Sequence, residues 1–291
     1  MTDDDVPAYW RSLGLPGLID IHVHFLPPQV MAKVWAYFDD AERHYGIAWP
    51  VAYRGDDDDR LARLRALGVR AFPALAYAHK PGMAAWLNDW TRDFARRTPD
   101  CVPSLTMFPE PGVLDYVGRA LDDGARVAKV HLQVGGFDPR DPQLDPAWGL
   151  LAEAGIPVVT HCGSGPLPGR FTGRAAIGEV LRRHPTLRLV IAHFGIPEYA
   201  DFVELAESYP RVFLDTTMAF TDFMQQRAPV PPEVVLRLPA LQDRVVLGSD
   251  FPNIPYPYAE QIDALDRLGL GPEWLRAVLW ENGARLLGID G

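Results

Sequence analysis

The stretch LIDIHVHF, residues 18–25, places an aspartate and two histidines on a short run of apolar and β-branched residues. Such a run is typical of a β-strand, in which residues two apart point to the same face. Asp20, His22 and His24 therefore share one face of the predicted first strand. Two neighbouring imidazoles near a strand end suit zinc and other first-row metals as ligands. The stretch predicts a strand that opens a metal site.

Seven further strand-like runs follow, and amphipathic stretches with one polar helical face separate most of them. The runs begin at Val69, Cys101, Arg126, Ile156, Leu187, Arg211 and Arg244. Eight strands alternating with helices specify a closed parallel sheet more economically than an open one. We therefore predict a distorted (β/α)8 TIM barrel. The length of 291 residues suits one such domain, covering residues 1–291.

The segment at about residues 26–67 is longer than a simple strand-to-helix connection. It contains a helical stretch, QVMAKVWAYFDDAERH, and the acidic run GDDDDR. An excursion after the first strand lies over the C-terminal mouth of a barrel, so we predict a lid-like insertion here. The aspartates of the run are predicted to start a helix rather than to bind calcium, because consecutive side chains cannot converge on one ion.

Charge and hydropathy argue against several classes of partner. The formal net charge is −10, so the surface repels nucleic acid and anionic membranes. Hydrophobic residues make up 48% of the chain without forming a run that could span a bilayer. The N-terminal segment MTDDDVPAYW is acidic and lacks the features of a secretory signal, so we predict a cytoplasmic protein. Cys101 and Cys162 lie in strand-like runs and are predicted to be buried thiols.

Further residues suited to metal binding or proton transfer recur near the ends of later strands. They are His131 in AKVHLQ, His161 in VVTHCG, His193 in VIAHFG and Asp250 in VLGSDFP. A single histidine in an apolar strand is more often a hydrogen-bonded core residue than a ligand. The repetition at strand ends, where barrel active sites are built, favours a shared site at the C-terminal mouth.

In this ordered set of motifs the chain resembles the amidohydrolase superfamily, and within it the amidohydrolase family 2 branch that includes aminocarboxymuconate-semialdehyde decarboxylase. The resemblance rests on the HxH of IDIHVHF, the histidines of THCG and IAHFG and the aspartate of GSDFP, and it covers nearly the whole chain. It implies one divalent metal, with zinc as the first candidate and manganese, iron or cobalt as alternatives. The implied ligands are His22, His24, His161 and Asp250.

The same resemblance implies roles for the residues around the metal. Asp250 would also take a proton from the metal-bound water, and His193 would act as an acid/base beside it. Asp20 would orient a ligand without touching the metal. Bound to a divalent metal, water loses its proton near neutral pH, which makes hydroxide available.

Four more residues are candidates for contacts with a substrate. Lys129 and His131 share a face of the fourth predicted strand, where some binuclear members of the superfamily place a carboxylated lysine between two metals. We favour one metal. Lys129 would then bind a substrate carboxylate, and His131 would contact the substrate or support a metal ligand. Arg170 and Arg174, in the loop GSGPLPGRFTGR, are candidates for a carboxylate clamp, with solvated surface arginines as the alternative.

Three functions are compatible with this pattern. The first is hydrolysis of an amide, ester or lactone bond in a small carboxylate or ring-containing acid. The second is non-oxidative decarboxylation of an unsaturated or aromatic acid at the same metal. The third, a binding protein without turnover, is disfavoured because a structural metal site needs neither Asp250 as a base nor His193. Family members often form dimers, so the resemblance also allows a homodimer.

Overall fold

A computed structural model describes residues 1–289, so the last two residues of the predicted 1–291 domain lie outside the described part. Every predicted strand region contains strand structure, although most ladders are shorter than the sequence run. The strands are β1 Leu18–Ile19, β2 Val69–Pro73, β3 Cys101–Val102, β4 Ser104–Thr106, β5 Val127–His131, β6 Pro157–His161, β7 Arg188–Ile191, β8 Val212–Asp215 and β9 Val245–Val246.

All strand pairs are parallel, and the strands follow one another in chain order. β1, β2 and β3 form one sheet, and β4 to β9 form a second. The division falls at Pro103, which interrupts the third predicted strand because it has no N–H to donate. The segments that follow the first and last strands meet through backbone hydrogen bonds, including Ile21 N–H to Leu247 O at 2.9 Å and Asp250 N–H to His22 O at 2.8 Å. The architecture is the predicted (β/α)8 barrel.

Helices connect the strands and cover the outside of the barrel. They are α1 Val6–Ser12, α2 Pro28–Asp39, α3 Ala41–Tyr45, α4 Asp57–Leu67, α5 Ala84–Arg97, α6 Val113–Asp122, α7 Leu132–Gly135, α8 Asp145–Ala154, α9 Arg174–Arg183, α10 Tyr199–Ser208, α11 Asp222–Gln225, α12 Pro232–Val235, α13 Tyr258–Asp266, α14 Pro272–Arg276 and α15 Asn282–Leu287. Within residues 1–289, no helix combines the length and apolar character needed to cross a bilayer.

The segment after β1 forms α2 and α3 before the chain enters the barrel helix α4. Asp56 is the N-cap of α4, and its side chain accepts the backbone N–H of Asp59 at 2.9 Å. The acidic run therefore begins a helix, as predicted. The preceding part of the insertion is attached to the loop after β9, because Trp35 and Trp49 donate their indole N–H groups to Asn253, at 3.1 Å to Oδ1 and 2.7 Å to the carbonyl.

The barrel interior has an apolar lower layer and a polar upper layer. Val127, Val159 and Val190 belong to the buried inner cluster, which α15 packs against through Leu286 and Leu287. Because side chains alternate along a strand, the residues that follow Val127 on the same face of β5 are Lys129 and then His131. The same alternation from Val159 on β6 leads to His161. The sequence pattern thus directs polar side chains to the C-terminal end of the barrel.

Candidate metal centre

Three of the predicted metal ligands come together at this end of the barrel. One potential ligand atom from each of His22, His24 and Asp250 lies within 4.8 Å of the others. Asp250 Oδ1 is 2.8 Å from His24 Nε2 and 3.6 Å from His22 Nε2. The side chain of His22 is fully buried, whereas that of Asp250 is 13% exposed. The carboxylate is therefore the member of this trio that faces the cavity most openly.

The two imidazoles are fixed through their other ring nitrogen. His22 Nδ1 lies 2.9 Å from Asp215 Oδ2, and His24 Nδ1 lies 2.7 Å from the carbonyl of Leu75. Carboxylates and carbonyls only accept hydrogen bonds, so the Nδ1 atoms carry the protons and the Nε2 atoms are left with their lone pairs. In this tautomer the Nε2 atom of each histidine is available to bind a metal.

The surroundings of His24 contain two acceptors and one available proton. Its Nδ1 faces the Leu75 carbonyl and its Nε2 faces the Asp250 carboxylate. A neutral imidazole has one N–H, so one of these contacts needs a cation, either a second ring proton or a metal ion. Two imidazole nitrogens and a carboxylate oxygen are a donor set that suits a divalent first-row metal. The residues present therefore fit the metal that the family pattern implies.

Asp215 is an important residue of this centre that the sequence analysis did not select. Besides His22, its carboxylate accepts the backbone N–H groups of His193 and Thr217 through Oδ1, at 2.9 and 3.0 Å. Burial alone would raise its pKa, but the charge and hydrogen bond of His22 hold the pKa well below the ordinary range. The signal was available, because Asp215 directly follows the apolar residues of the strand-like run RVFLDTTM and is the last residue of β8.

Lys129 points into the same group. Its Nζ lies 2.8 Å from His22 Nε2, and the residue is 1% exposed. Burial lowers its pKa to about 8, and the same burial, together with the charge of Lys129, lowers the pKa of His22. An ammonium here donates a hydrogen bond to the lone pair of His22 Nε2. A metal bound to His22 would use the same lone pair in place of Lys129. This placement is compatible with its predicted contact to a substrate carboxylate.

His161 and His131 form a stacked pair beside the trio. Their ring centroids are 4.0 Å apart and the planes differ by 11°. His161 Nε2 lies 2.8 Å from the carbonyl of Gly165, so this nitrogen is directed at a loop and not at Asp250. Burial lowers the pKa of His161 to about 4, which keeps the ring neutral. The predicted role of His161 as a fourth ligand stays a prediction.

His193 lies between the two groups of histidines. Its ring centroid is 5.0 Å from that of His22 and 4.7 Å from that of His161. The backbone has φ 56° and ψ 29°, a left-handed conformation that is uncommon outside glycine and that the N–H bond to Asp215 supports. Burial lowers its pKa well below the usual value. A neutral ring at this place can accept a proton.

Asp20 supports the backbone of the site and not a ligand ring. Its carboxylate accepts the backbone N–H of His22 at 3.1 Å and the hydroxyls of Ser249 and Tyr258 at 2.5 and 2.9 Å. Burial raises its pKa to about 7. Asp20 therefore fixes the chain on either side of the ligands, whereas Asp215 makes the contact with an imidazole that we expected of Asp20.

Neither arginine of the predicted clamp lies among the residues that line the cavity above the site. Arg174 is the first residue of α9 and pairs with Glu204 at 2.8 Å, and Arg170 is exposed beside the ring of Phe171. The cations that do line the cavity are Lys33, Lys80, Lys129 and Arg227. The clamp through Arg170 and Arg174 has no support in the geometry.

A cavity of about 1210 Å³ opens above the histidines. Its floor contains the trio, Lys129, His131, His161 and His193, and one wall is made by α2 and α3 of the insertion. Buried polar groups at the closed end of a barrel-mouth cavity are the usual arrangement of a barrel enzyme. The fold and the site together define a metal-dependent TIM-barrel enzyme.

The chain belongs to amidohydrolase family 2, since the family model described as amidohydrolase matches residues 19–289. Members of this family are metal-dependent hydrolases or decarboxylases. The matched region includes every site residue named above. No curated protein matches the chain significantly by sequence.

Solved structures with the same fold include enzymes of both reaction types. An uncharacterised TIM-barrel protein from Bordetella bronchiseptica is 20% identical, with a TM-score of 0.73 over 93% of this chain and 99% of the other. A probable 2-pyrone-4,6-dicarboxylic acid hydrolase from Acinetobacter baumannii, with citric acid bound, is 14% identical, with a TM-score of 0.62 over 94% and 100%. The 5-carboxyvanillate decarboxylase of Novosphingobium aromaticivorans, complexed with manganese and a nitrobenzoic acid, is 16% identical, with a TM-score of 0.59 over 95% and 97%.

Proposed function

We propose that this protein is a metal-dependent hydrolase that cleaves an amide, ester or lactone bond of a small organic acid. The observation that carries the proposal is the pair of acceptors around His24, the Leu75 carbonyl at 2.7 Å and Asp250 at 2.8 Å. A neutral ring cannot donate to both acceptors, so a metal ion or a second ring proton is needed at His24 Nε2, on the side of the ring that faces the cavity. His22, His24 and Asp250 would hold a divalent metal there, with His161 as a further ligand after rotation of its ring.

Zinc is the metal that we propose first, with manganese, iron or cobalt as alternatives. Two neutral imidazoles and a carboxylate suit each of these ions. A related decarboxylase is complexed with manganese, which supports a divalent metal of this group without choosing among them. When bound, the metal supplies a Lewis acid that polarises oxygen and lowers the pKa of water. A second metal on a carboxylated Lys129 is the less favoured arrangement, because a buried ammonium beside the ligands is also placed to bind a substrate carboxylate.

The chain's own residues would perform the proton transfers of hydrolysis. Asp250 is the partly exposed carboxylate of the trio, so it is suited to accept the proton of the attacking water. His193, whose ring is neutral and near that of His22, is suited to take this proton over from Asp250 and donate it to the leaving group. Hydrolysis then adds hydroxyl to the acyl carbon and hydrogen to the departing nitrogen or oxygen.

A second function, decarboxylation, is supported by Lys129. A buried ammonium at the floor of the cavity would hold a substrate carboxylate close to the histidines. In that reaction the carbon–carbon bond breaks, CO2 leaves, and His193 or Asp250 passes a proton from water to the carbon that has lost the carboxylate. The related 5-carboxyvanillate decarboxylase shows that this fold carries such a reaction elsewhere.

One experiment separates the two reactions. The metal-loaded protein is incubated in ¹⁸O-labelled water with a panel of lactones, amides, esters and aromatic acids. We expect a product that has gained one labelled oxygen and no released CO2. CO2 release without label in the remaining product would replace hydrolysis by decarboxylation. The Asp250→Asn variant is the control, and unchanged turnover in that variant would contradict both mechanisms.

Three wider predictions from the sequence accompany this proposal. We propose that the protein acts in the cytoplasm, that residues 26–67 act as a lid on a single domain, and that a homodimer is compatible with the family pattern. The part of the insertion that lines the cavity, from Leu26 to Trp49, supports the lid. Limited proteolysis of this segment, with and without a bound acid, would test it.

A further inference from the structure

The three lysines of the chain, Lys33, Lys80 and Lys129, all line the cavity above the histidines. Every other basic side chain, apart from histidine, is an arginine, and many of these pair with surface carboxylates. Lysine and arginine are both suited to an exposed surface. The restriction of lysine to one cavity therefore indicates a use specific to that cavity.

The charge of the cavity is opposite to that of the chain. Lys33, Lys80, Lys129 and Arg227 line it, against Asp250 as the single carboxylate in the lining, in a chain of net charge −10. Among residues 1–289, Lys33 and Lys80 have no carboxylate within ion-pairing distance. Such a cavity attracts anions although the surface around it repels them.

Lys33 and Lys80 are close enough to act on the same side chain. Lys33 lies on α2 of the insertion, and Lys80 lies in the loop between β2 and α5. After burial, the charges of Lys80 and Lys33 are the causes that lower the pKa of His79. Both ammonium groups are exposed at the mouth, whereas Lys129 is buried on the floor. The cavity thus has two separate cationic ends.

The wall that the insertion contributes to this cavity is apolar and aromatic. Phe38 and Trp49 of the insertion stack at 5.4 Å, and Tyr45 packs edge-on against Trp49 at 6.2 Å. Tyr37 and Trp86, which also line the cavity, are 42% and 41% exposed. Large aromatic side chains left in water are typical of a binding surface. The volume of about 1210 Å³ exceeds the roughly 300–1000 Å³ of most ligand pockets.

We propose that the substrate is an amphipathic organic acid with two anionic ends: a reacting end at the histidines and Lys129, an apolar body against α2 and α3, and a second anionic group on Lys33 and Lys80. This inference rests on the proposed function for the reacting end only. The second anionic group is a carboxylate or a phosphate-like group, since an ammonium binds either one.

Binding of matched aromatic acids tests the proposal. Isothermal titration would compare mono- and dicarboxylates that share one body: benzoate with terephthalate, 2-naphthoate with its 2,6-diacid, and biphenyl-4-carboxylate with its 4,4′-diacid. For at least one body we expect the diacid to bind about tenfold or more tightly, as a charged hydrogen bond contributes. Replacing the second carboxylate by phosphonate identifies the preferred group, and a gain with either supports the proposal.

The control is a pair of variants matched in charge. Lys33→Gln/Lys80→Gln should remove the advantage of the diacid and leave the monoacid unchanged. Arg63→Gln/Arg96→Gln, which removes two exposed charges from α4 and α5 outside the cavity, should keep that advantage. Equal affinities of mono- and diacids for every body, or an advantage that survives in the lysine variant, would overturn the proposal.

Reductive methylation of the wild-type protein gives a second readout without any substitution. The bound diacid should slow methylation of Lys33 and Lys80 but not of the Met1 amine, which pairs with Asp263 at 2.6 Å. Equal rates with and without the diacid would contradict the proposed contact. All these measurements record binding, so they stand apart from turnover: a protein without metal or activity could still prefer the diacid, and an active hydrolase could lack that preference.

Discussion

The Nδ1 atom of His22 and the Oδ2 atom of Asp215 lie 2.9 Å apart, and neither side chain reaches solvent. These residues come from opposite ends of the strand order, β8 and the segment after β1, and are brought together where the barrel closes. Thr217 Oγ1 lies 3.2 Å from the same nitrogen. The proton on His22 Nδ1 is therefore held by the fold before any metal binds.

Replacing Asp215 by asparagine should weaken metal binding about 10–100-fold. The amide oxygen can still accept the backbone N–H groups of His193 and Thr217, but its NH2 group would face His22 Nδ1 as a donor. The imidazole would then carry its proton on Nε2 and lose its lone pair for a metal. Metal retained after dialysis against graded chelator measures the effect. Asp222→Asn, an exposed position on α11, is the control, and equal retention by both variants would refute this role of Asp215.

Replacing His193 by asparagine should lower turnover by about 100-fold or more, because a positioned acid/base contributes about 10²–10⁴. Asparagine adopts positive φ more readily than most residues, so the backbone at φ 56° should persist. We expect the free energy of unfolding to stay within about 1 kcal/mol of the wild type. Steady-state kinetics and denaturant unfolding together check this. A near-normal rate in a stably folded variant would exclude His193 as the acid/base.

Replacing Gly248 by alanine should lower both the stability of the protein and its affinity for metal, because the new methyl group would displace residues that support the ligands. A Cβ atom there would lie 2.5 Å from Thr217 Oγ1, 2.9 Å from His22 Cβ and 3.1 Å from Asp215 Cγ. Overpacking of this kind costs about 1–3 kcal/mol and should also lower metal affinity. Gly118→Ala on α6 is the matched control, because a Cβ there would meet only Leu150 Cδ2 at 3.9 Å, an ordinary van der Waals contact, and alanine favours a helix. Chemical denaturation of both variants decides the point, and equal stability would show that the neighbours of Gly248 can yield.

Removal of the metal should abolish turnover and leave the fold intact. The hydrogen bonds of His22 to Asp215 and of His24 to Leu75 come from the protein alone, so the ligands stay in place. Adding the metal at a hundredfold excess over its Kd should stabilise the native state by about 2.7 kcal/mol. Far-ultraviolet circular dichroism and thermal unfolding, with and without chelator, measure both effects. Activity that persists after chelation, with metal content verified as negligible, would remove the metal from the mechanism.

The barrel could be predicted because local signals repeat along the chain. Each strand region is rich in apolar and β-branched residues, and most helices end where the sequence places glycine, proline or basic residues. The first and last residues of each strand were harder to predict from the sequence. The predicted strand from Leu18 is only two residues long in the structure. The chain then leaves the regular sheet before His22 and His24, which meet Asp250 at the cavity. Pro103 divides the third strand, a break that the sequence displays and that the prediction passed over.

The site was predictable as a set of residue types but not as a set of contacts. His22, His24 and Asp250 meet as expected. The orientation of the His161 ring depends on a hydrogen bond to Gly165 and on stacking with His131, neither of which spacing reveals. The surroundings of Arg174 were hidden for a similar reason, because its partner Glu204 lies on another helix, thirty residues away in the chain.

The two indole hydrogen bonds from the insertion to Asn253 join the cavity wall to the loop that carries the aspartate. Asn253 in turn donates its backbone N–H to the carbonyl of Asp250 at 2.9 Å. These hydrogen bonds connect the cavity wall to the backbone of Asp250, the residue that we propose as the proton acceptor. We therefore expect the bulk of a substrate to affect both the strength of its binding and the rate of the chemical step. Acids that leave the wall untouched should be converted slowly even when they saturate the site.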